Sequence, residues 1–332
     1  MESLKVLLVG TGNIAATYLK AAANVPEIQI AGIVSRSGNH PAGADSELPV
    51  FSAISEANVP FDAVILATPN GCHAQGCLEA AACGKHVFTE KTLALSREDM
   101  QNMIDICKNK KLQLAVAFQR RTAPDNIVVR DLLRSGTLGK AIACELQVNF
   151  WRPAEYYKNS TYRGNYSLDG GGPFVQQASH NIDLYTWFFG MPKKVHAFTG
   201  TFLHEMESED YGSAILLHAD GMIGTIIAST ASKPGFDAQM TIRTEKGCLT
   251  LTGDRISFWD MENLPNPSRS EGITLHSGSS TNAVTATAGH EILLRDFAQK
   301  CLNGGKVLVS GEDAKMATEL ILQIYEAASR PE

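Results

Sequence analysis

The residues with the clearest chemical use stand near the start of the chain, in the run Gly10-Thr11-Gly12-Asn13-Ile14-Ala15. Its spacing is G-x-G-x-x-A, and the apolar run before it is typical of a buried strand. Gly10 permits a tight turn, Gly12 lets the main chain approach a pyrophosphate, and Ala15 keeps helix and strand close. The following helix directs free N–H groups and its positive dipole end at that anion. We therefore predict a dinucleotide site. Its residues are Gly10, Thr11, Gly12, Asn13 and Ile14.

A second apolar run, residues 28–34, ends in Ser35-Arg36-Ser37. A NAD-preferring fold of this kind carries an acidic residue here for the ribose 2′-hydroxyl, and none occurs between residues 28 and 44. Two hydroxyls that flank a guanidinium suit a 2′-phosphate through charge-assisted hydrogen bonds. We predict that Ser35, Arg36 and Ser37 favour NADP, with NAD possible. The alternative is that Arg36 is a solvated loop charge and that either cofactor is accepted.

A further buried strand, D-A-V-I-L-A at residues 62–67, ends in Thr68-Pro69-Asn70. Ligands of open α/β sheets gather beyond the carboxyl ends of the strands. We expect Thr68, Pro69 and Asn70 to border the cofactor, together with His73 on the next helix. We expect no metal site where His73 stands among cysteines, because Cys72 and Cys77 would point apart on a helix and small buried thiols are common.

The elements that position these residues alternate between strand and helix. Short strands at residues 49–51, 86–88 and 113–118 and helices at 72–83 and 97–109 continue the pattern, which predicts a parallel α/β domain over residues 1–121. From residue 141 to residue 252, strand-like runs follow one another with few helices between them. This succession predicts a mostly antiparallel sheet in a second, α+β domain over residues 122–332. A long loop is expected at residues 265–285, followed by helices at 290–302 and 313–328.

Composition narrows the class of protein. A chain of 332 residues suits about two domains. The net charge is −6 and basic residues are scattered, which argues against a nucleic-acid partner and favours a small molecule. We expect no membrane span, because no apolar run approaches ~20 residues. We expect a cytoplasmic protein without a leader, because the chain reaches a strand within a few residues and its seven cysteines read as reduced thiols.

Three stretches agree in order and spacing with a known pattern. They are the run from Gly10 to Ala15, the segment A-T-P-N-x-x-H…G-K-H-V-F-T-E-K from Ala67 to Lys91, and D-G-G-G-P-F-V-Q-Q-A-S-H-N-I-D from Asp169 to Asp183. Together they closely resemble the glucose-fructose oxidoreductase and inositol dehydrogenase family. The resemblance continues through G-T-L-G-K at residues 136–140 and S-G-E-D-A near the end, so it covers essentially the whole chain.

This resemblance implies a Rossmann domain followed by an open-sheet domain, with hydride transfer between nicotinamide and a sugar or polyol carbon. The E-K-P motif of the family falls on Glu90-Lys91-Thr92, so Lys91 is expected beside the nicotinamide and Glu90 on the cofactor side. Loss of hydride from a carbinol needs a group that accepts the hydroxyl proton, and the pKa of a lysine beside a cofactor can fall toward working pH. A cationic Lys91 would equally stabilise a developing alkoxide.

The second motif implies His180 as the histidine that binds the substrate hydroxyl and acts as acid or base. Asp183, three residues on, either orients His180 or serves structure. Two positions depart from the family. Gln176 stands where many members have Asp, so it can hold a hydroxyl but cannot act as a base, and the proton relay is left to Lys91 and His180. Thr92 replaces the usual proline, so the turn after Lys91 is less rigidly fixed.

The aromatic segment before the Gly run resembles the family stretch that covers the active site. Tyr162 and Arg163 take the place of an aromatic-Arg-Gly element that reaches cofactor or substrate. Gln119 and Arg121 stand at the domain junction, where they either meet the substrate or form hinge contacts. Predicted substrate residues are Gln119, Arg121, Tyr162, Gln176, His180 and Asp183, and predicted catalytic residues are Lys91 and His180.

The sequence thus predicts an NADP-dependent dehydrogenase or reductase of CH–OH groups in a sugar, sugar derivative or polyol. The family also implies a homo-oligomer, a dimer or tetramer, built on the sheet of the second domain. Two alternatives stay open. One is a cofactor-binding regulator that has lost catalysis, which Gln176 and Thr92 favour. The other is an enzyme with a different substrate: a diol, a keto-sugar that it reduces, or a tetrapyrrole.

Overall fold

The computed structural model describes residues 3–160, 162–269 and 287–329. In their described parts, the contacts cluster into one unit of Met1–Gln119 with Ala283–Lys315 and a second of Arg120–Asn282 with Met316–Glu332. The sequence division placed everything after residue 121 in the second domain. The two divisions differ in the helix after residue 287, which belongs to the first unit. Most of the loop expected at residues 265–285 lies outside the described residues.

The first unit is built on a six-stranded sheet in which all neighbouring strands are parallel. Its strands are β1 (Leu4–Val9), β2 (Ile28–Val34), β3 (Val50–Phe51), β4 (Ala63–Leu66), β5 (His86–Thr89) and β6 (Leu114–Val116). Their order is β3-β2-β1-β4-β5-β6. It reverses between β1 and β4, which is where an open α/β sheet forms its ligand crevice. The predicted Rossmann class is confirmed.

Helices cover this sheet because its strands are apolar on both faces, and all four residues of β4 are buried. The helices are α1 (Asn13–Ala23), α2 (His73–Ala82), α3 (Arg97–Asn109) and α8 (Ala288–Asn303). The Ser96 hydroxyl caps α3 by accepting the Asp99 N–H at 3.0 Å. Helix α8 returns from the far end of the sequence to pack on α1, β1 and β2. The Phe297 ring of α8 meets Phe88 of β5 edge-on, with centroids 5.5 Å apart.

The second unit is built on a seven-stranded sheet. Its strands are β7 (Ala141–Asn149), β8 (Lys194–Gly200), β9 (Tyr211–Leu217), β10 (Ile223–Ser229), β11 (Gln239–Thr244), β12 (Gly247–Thr252) and β13 (Arg255–Met261). Their order is β13-β12-β11-β7-β10-β9-β8, and every pair is antiparallel except β7 with β10. The predicted mostly antiparallel sheet is confirmed. Strand β13 was not anticipated.

One face of the seven-stranded sheet is a core and the other is open. Leu146, Ile226 and Met240 point inward and are buried. Ile215 and Ile223 point outward from β9 and β10 and are 57% and 51% exposed. Helices of the second unit include α4 (Pro124–Arg134), α5 (Ala154–Lys158), α6 (Pro173–Gln176) and α7 (Ser179–Phe189). Because α6 contacts β9 and β10 and α7 contacts β7, these two helices cover the core face.

The Gly170–Gly172 run packs against a buried carboxylate. A last helix, α9 (Gly311–Ala328), carries Tyr325, whose hydroxyl donates to Glu209 Oε1 at 2.8 Å. The Gly172 N–H donates to Glu209 Oε2 at 3.1 Å. Gly171 has a φ of +140°, and a Cβ there would overlap the Tyr325 hydroxyl. This contact holds the chain immediately before α6, and therefore also places α7.

Among the residues that the structure describes, no helix combines the length and apolarity needed to cross a membrane. All seven cysteines carry free thiols. Cys77 of α2 faces Cys107 of α3, with their Sγ atoms 3.8 Å apart. Within the described ranges there is also no group of three or more His, Cys, Asp or Glu side chains arranged to hold a metal ion.

The buried carboxyl group of Glu209 should make the stability of the folded protein depend on pH. Burial raises the pKa of Glu209 to about 7 from an ordinary value near 4.5. The folded state therefore binds this proton more tightly than the unfolded state, and the stability that protonation contributes is lost as the pH rises from 4.5 through 7. Each pKa unit corresponds to about 1.4 kcal/mol. We expect Glu209→Gln to flatten this decline, measured by denaturant unfolding between pH 4 and 8. The exposed neighbour Glu207→Gln is the control, and superimposable profiles for Glu209→Gln and wild type would contradict the prediction.

Candidate active site

The turn between β1 and α1 has the geometry of an anion-binding loop. Gly10 has a φ of +108° and a Cβ there would overlap the Ala67 carbonyl, so only glycine fits. Gly12 caps α1, and an ideal Cβ on it would have no atom within 4 Å. In this described part of the chain, no side chain caps α1 and no acidic residue stands in its first turn. The Ala15 N–H donates to the Gly12 carbonyl at 3.0 Å, so the amides of Asn13 and Ile14 are the ones that an anion can meet.

The segments after β1, β2, β4 and β5 meet at one edge of the sheet because these strands are parallel. Ser35 follows β2, and its Oγ lies 3.1 Å from the Ser37 Oγ. The Ser35 side chain is buried, whereas Arg36 and Ser37 are exposed. The Gly38 N–H donates to the Ser35 carbonyl at 3.1 Å, which closes a turn around Arg36. The guanidinium therefore stands on an exposed turn at the carboxyl end of β2.

Thr68, Pro69 and Asn70 leave β4 at the same edge. Among the described residues, the buried Thr68 Oγ1 has no hydrogen-bond partner. His73 is fully buried at the start of α2, with Nδ1 2.7 Å from the Thr92 carbonyl and Nε2 3.1 Å from the Thr68 carbonyl. Burial lowers the pKa of His73, although the two carbonyls and Glu90 oppose that shift. The His73 ring thus ties the end of β4 to the chain just beyond Lys91.

Glu90 and Lys91 follow β5. Glu90 is buried, and its Oε1 accepts from the Tyr18 hydroxyl at 2.6 Å. Its Oε2 accepts from the Lys91 main-chain N–H at 3.1 Å. Lys91 itself is half-buried, and the peptide bond from Lys91 to Thr92 is cis. The main chain at Lys91 is therefore held on one side by Glu90 and on the other by His73.

Two helices of the second unit carry the residues of the second motif. Helix α6 ends at Gln176 and α7 begins at Ser179, so His180 stands in the first turn of α7. Most side chains of α7 are buried, whereas His180 and Gln176 are partly exposed. Gln176 Nε2 donates to the Asp169 carbonyl at 2.8 Å. An imidazole and an amide thus lie at the same end of this helix pair, where solvent or a ligand can reach them.

Arg121 and Asp183 form a buried ion pair. Arg121 Nε donates to Asp183 Oδ2 at 2.7 Å and Nη2 donates to Oδ1 at 2.6 Å. Both residues are less than a tenth exposed, and the Arg121 guanidinium also faces the Trp187 ring at 5.4 Å. Two parallel bonds of this kind fix the orientation of both groups. The pair ties the chain before α4 to α7, one turn beyond His180.

Arg163 and Tyr162 lie in a cluster of rings and guanidinium groups. The Arg163 guanidinium stands 4.1 Å from the Tyr156 ring and 5.9 Å from the Tyr162 ring, and its Nη1 donates to the Tyr156 carbonyl at 3.2 Å. Arg152 faces the same Tyr156 ring at 5.5 Å. Burial and the charge of Arg163 lower the pKa of Arg152, and the neighbouring tyrosines oppose that shift. Sequence reasoning named Tyr162 and Arg163 but missed Tyr156 and Arg152.

Gln119, the remaining predicted residue, closes the first unit after β6 and packs against Gly289 of α8. The structure thus groups Gly10, Ser35, Thr68 and Lys91 within the first unit. It groups Arg121, Gln176, His180 and Asp183 within the second. Sequence reasoning also missed Tyr18 and His290, which surround Glu90. The only signal for Tyr18 was an aromatic residue in an otherwise Ala-rich helix, and His290 had none.

Two family models match the chain. The oxidoreductase family with a NAD-binding Rossmann fold matches residues 4–118, and the GFO/IDH/MocA C-terminal domain matches residues 127–250. Together they span most of the chain, one in each unit.

Similar proteins are known for both halves. Inositol 2-dehydrogenase of Rhizobium meliloti is 24% identical over 330 residues, covering 94% of this chain and 93% of that protein. Oxidoreductase P35 of Formosa agariphila is 31% identical over 132 residues, but the match spans 39% of this chain and only 41% of that protein. The WlbA dehydrogenase of Bordetella pertussis, solved with NADH and UDP-GlcNAcA, is 26% identical with a TM-score of 0.85, covering 98% of this chain and 97% of that one.

The Gly10 turn, the Glu90-Lys91 segment and the helix pair with His180 therefore occur in a chain that matches the family in both of its domains. The expectation drawn from the three sequence motifs is confirmed. The chain belongs to the GFO/IDH/MocA family of oxidoreductases, with an NAD-binding Rossmann domain.

Proposed function

We propose that the chain transfers a hydride between a nicotinamide cofactor and a carbinol or carbonyl carbon of a sugar, sugar derivative or polyol. The observation that carries the proposal is the position of Lys91 two residues after the end of β5, at the sheet edge where the Gly10 turn and Thr68 also lie. The open space at Gly12 and the buried Thr68 hydroxyl, which has no partner in the described chain, fit a bound dinucleotide. The cofactor, when bound, supplies the hydride acceptor or donor.

Oxidation of a carbinol releases one hydride to the nicotinamide and one proton from the hydroxyl. In its neutral form the Lys91 amine accepts that proton, and as an ammonium it returns the proton during reduction. His180 stands on the second unit as the other acid or base of the relay. Gln176 holds a hydroxyl through its amide and takes no proton. Asp183 acts through Arg121, because their buried pair fixes the helix that carries His180.

We propose NADP as the preferred cofactor. Arg36 stands on an exposed turn between the Ser35 and Ser37 hydroxyls, and no acidic residue of that turn would repel a 2′-phosphate. The WlbA structure was solved with NADH, so cofactor preference must be measured on this chain itself.

Replacing Lys91 tests the proposed chemistry. We expect Lys91→Ala to lower kcat about 10²- to 10⁴-fold, the range for loss of a general acid or base. We expect cofactor affinity, measured by NAD(P)H fluorescence, to change only a few-fold. The control is Lys85→Ala, at the opposite end of β5, where the Lys85 ammonium donates to the Phe61 carbonyl at 2.6 Å. Full turnover by a folded, cofactor-binding Lys91→Ala protein would overturn the assignment.

Replacing Arg36 tests the cofactor preference. We expect Arg36→Glu to weaken NADPH binding by about tenfold or more, since even one lost contact of ~1.4 kcal/mol has this effect. NADH binding should stay within a few-fold, because NADH lacks the 2′-phosphate. Arg134→Glu, an exposed arginine in the last turn of α4, controls for net charge. Tighter binding of NADH than NADPH by the wild-type protein would show that Arg36 is a bystander.

The substrate class is tested with the preferred cofactor against aldoses, inositols, keto-sugars and nucleotide sugars. We expect turnover of at least one of these classes and loss of that turnover in Lys91→Ala. Binding of cofactor without turnover of any of them would favour the regulator, the alternative that Gln176 and Thr92 suggest.

We also propose that the open face of the seven-stranded sheet is covered by another copy of this chain. Ile215 and Leu217 of β9 stand beside Ile223 of β10, all at least a third exposed, so this end of the face is an apolar stripe. We expect a dimer or tetramer at micromolar concentration in light scattering, and a smaller species for the double variant Ile215→Lys with Ile223→Lys. Leu308→Lys, which replaces a 53% exposed leucine of the first unit, is the control. A monomeric wild-type protein would rule this surface out.

A further inference from the structure

The first unit contains a buried polar cluster that the proposed chemistry does not use. It consists of Tyr18 of α1, Glu90 after β5 and His290 of α8, and each of these side chains is less than a tenth exposed. The cluster lies immediately beside Lys91, because Glu90 precedes Lys91 and accepts its main-chain N–H. Burying polar groups of this kind costs free energy unless they are hydrogen-bonded, so we expect the cluster to have a function.

Glu90 is the centre of the cluster. Its two carboxylate oxygens are divided between two donors, the Tyr18 hydroxyl at 2.6 Å and the Lys91 N–H at 3.1 Å. The Glu90 N–H itself donates to the Leu66 carbonyl at 3.0 Å, which fixes its main chain to β4. The Tyr18 hydroxyl thus sets the rotation of the carboxylate, and the carboxylate sets the direction of the Lys91 peptide.

His290 closes the cluster from α8. Its ring meets the Tyr18 ring edge-on, with centroids 5.4 Å apart and planes at 90°. His290 Nε2 stands 4.0 Å from Glu90 Oε1, beyond hydrogen-bond distance. Neither ring nitrogen has a hydrogen-bond partner among the described residues, although the side chain is only 1% exposed. His290 is therefore a polar group kept beside a carboxylate that already has another donor.

We propose that Tyr18 and His290 are positioning residues for hydride transfer. Tyr18 acts through the Glu90 carboxylate to hold the main chain of Lys91 in place, and His290 holds the Tyr18 ring. The inference rests on the proposed role of Lys91. It assigns to α8, a helix from the far end of the chain, a part in the chemistry of the Rossmann unit.

The Tyr18 hydroxyl reaches Lys91 only through Glu90, so its loss is expected to disturb the position of Lys91 during hydride transfer rather than the binding of the substrate. The change should therefore appear in kcat rather than in KM.

Tyr18→Phe tests the proposal, because it removes one oxygen and keeps the ring. We expect kcat to fall about ten- to hundredfold, the range for one lost hydrogen bond to a charged group. We expect kcat/KM to fall by a similar factor, with KM and NAD(P)H affinity, followed by fluorescence, changed only a few-fold. The matched control is Tyr185→Phe, a fully buried tyrosine of the second unit whose hydroxyl stands 2.7 Å from His218 Nε2. Its loss of thermal stability should be similar, with kcat unchanged.

His290→Phe is the second variant, which keeps ring packing on Tyr18 and removes both ring nitrogens. We expect a smaller fall in kcat, and this variant decides the question if Tyr18→Phe does not fold. An unchanged kcat in both variants would overturn the proposal. If the wild-type protein binds cofactor but turns over no substrate, the proposed function fails by itself, and crystal structures of Tyr18→Phe and wild type still test the positioning role, because superimposable Lys91 peptides would overturn it.

Discussion

The close approach of β1 to the end of β4 is the constraint on which the first unit depends. At Gly10 the chain passes so near the Ala67 carbonyl that no side chain fits, and the backbone takes a φ that glycine alone adopts readily. Because the strand order reverses at this pair, the same contact brings the Gly10 turn, Thr68 and, one strand further, Lys91 to one edge. The glycine turn of the NAD-binding domain and the lysine that we propose as catalytic thus depend on a single packing requirement.

In each unit, buried polar groups hold the residues that we propose as functional. In the first unit, Glu90 fixes the peptide of Lys91. In the second unit, the Arg121–Asp183 pair fixes α7, which carries His180. Such groups are costly to bury, and removing one partner of a buried pair costs about 3–5 kcal/mol. Lys91 and His180, the residues proposed as catalytic, are thus partly exposed, whereas the groups that hold them in each unit are buried.

The two departures from the family pattern have local structural settings. Gln176 is anchored by the Asp169 carbonyl, so an amide stands where many members have a carboxylate. Thr92 replaces proline, and its carbonyl is held by the buried His73 ring. The hydrogen bond between the His73 ring and the Thr92 carbonyl, 19 residues apart, therefore restrains the backbone at Thr92, where a proline ring would have restricted it locally.

Local patterns in the sequence determined the strand and turn that lead into α1, the β/α alternation, the antiparallel second sheet and the residues of the three motifs. These signals depend on periodicity and turn chemistry within a few residues, so they can be read without the fold. The tertiary structure alone decided the partners of the buried polar groups, such as Tyr18 with Glu90, 72 residues apart, and Arg121 with Asp183, 62 residues apart. It also decided the return of α8 to the first unit. Hydrogen bonds over such separations leave no local pattern in the sequence, because the two residues of each pair are not neighbours along the chain.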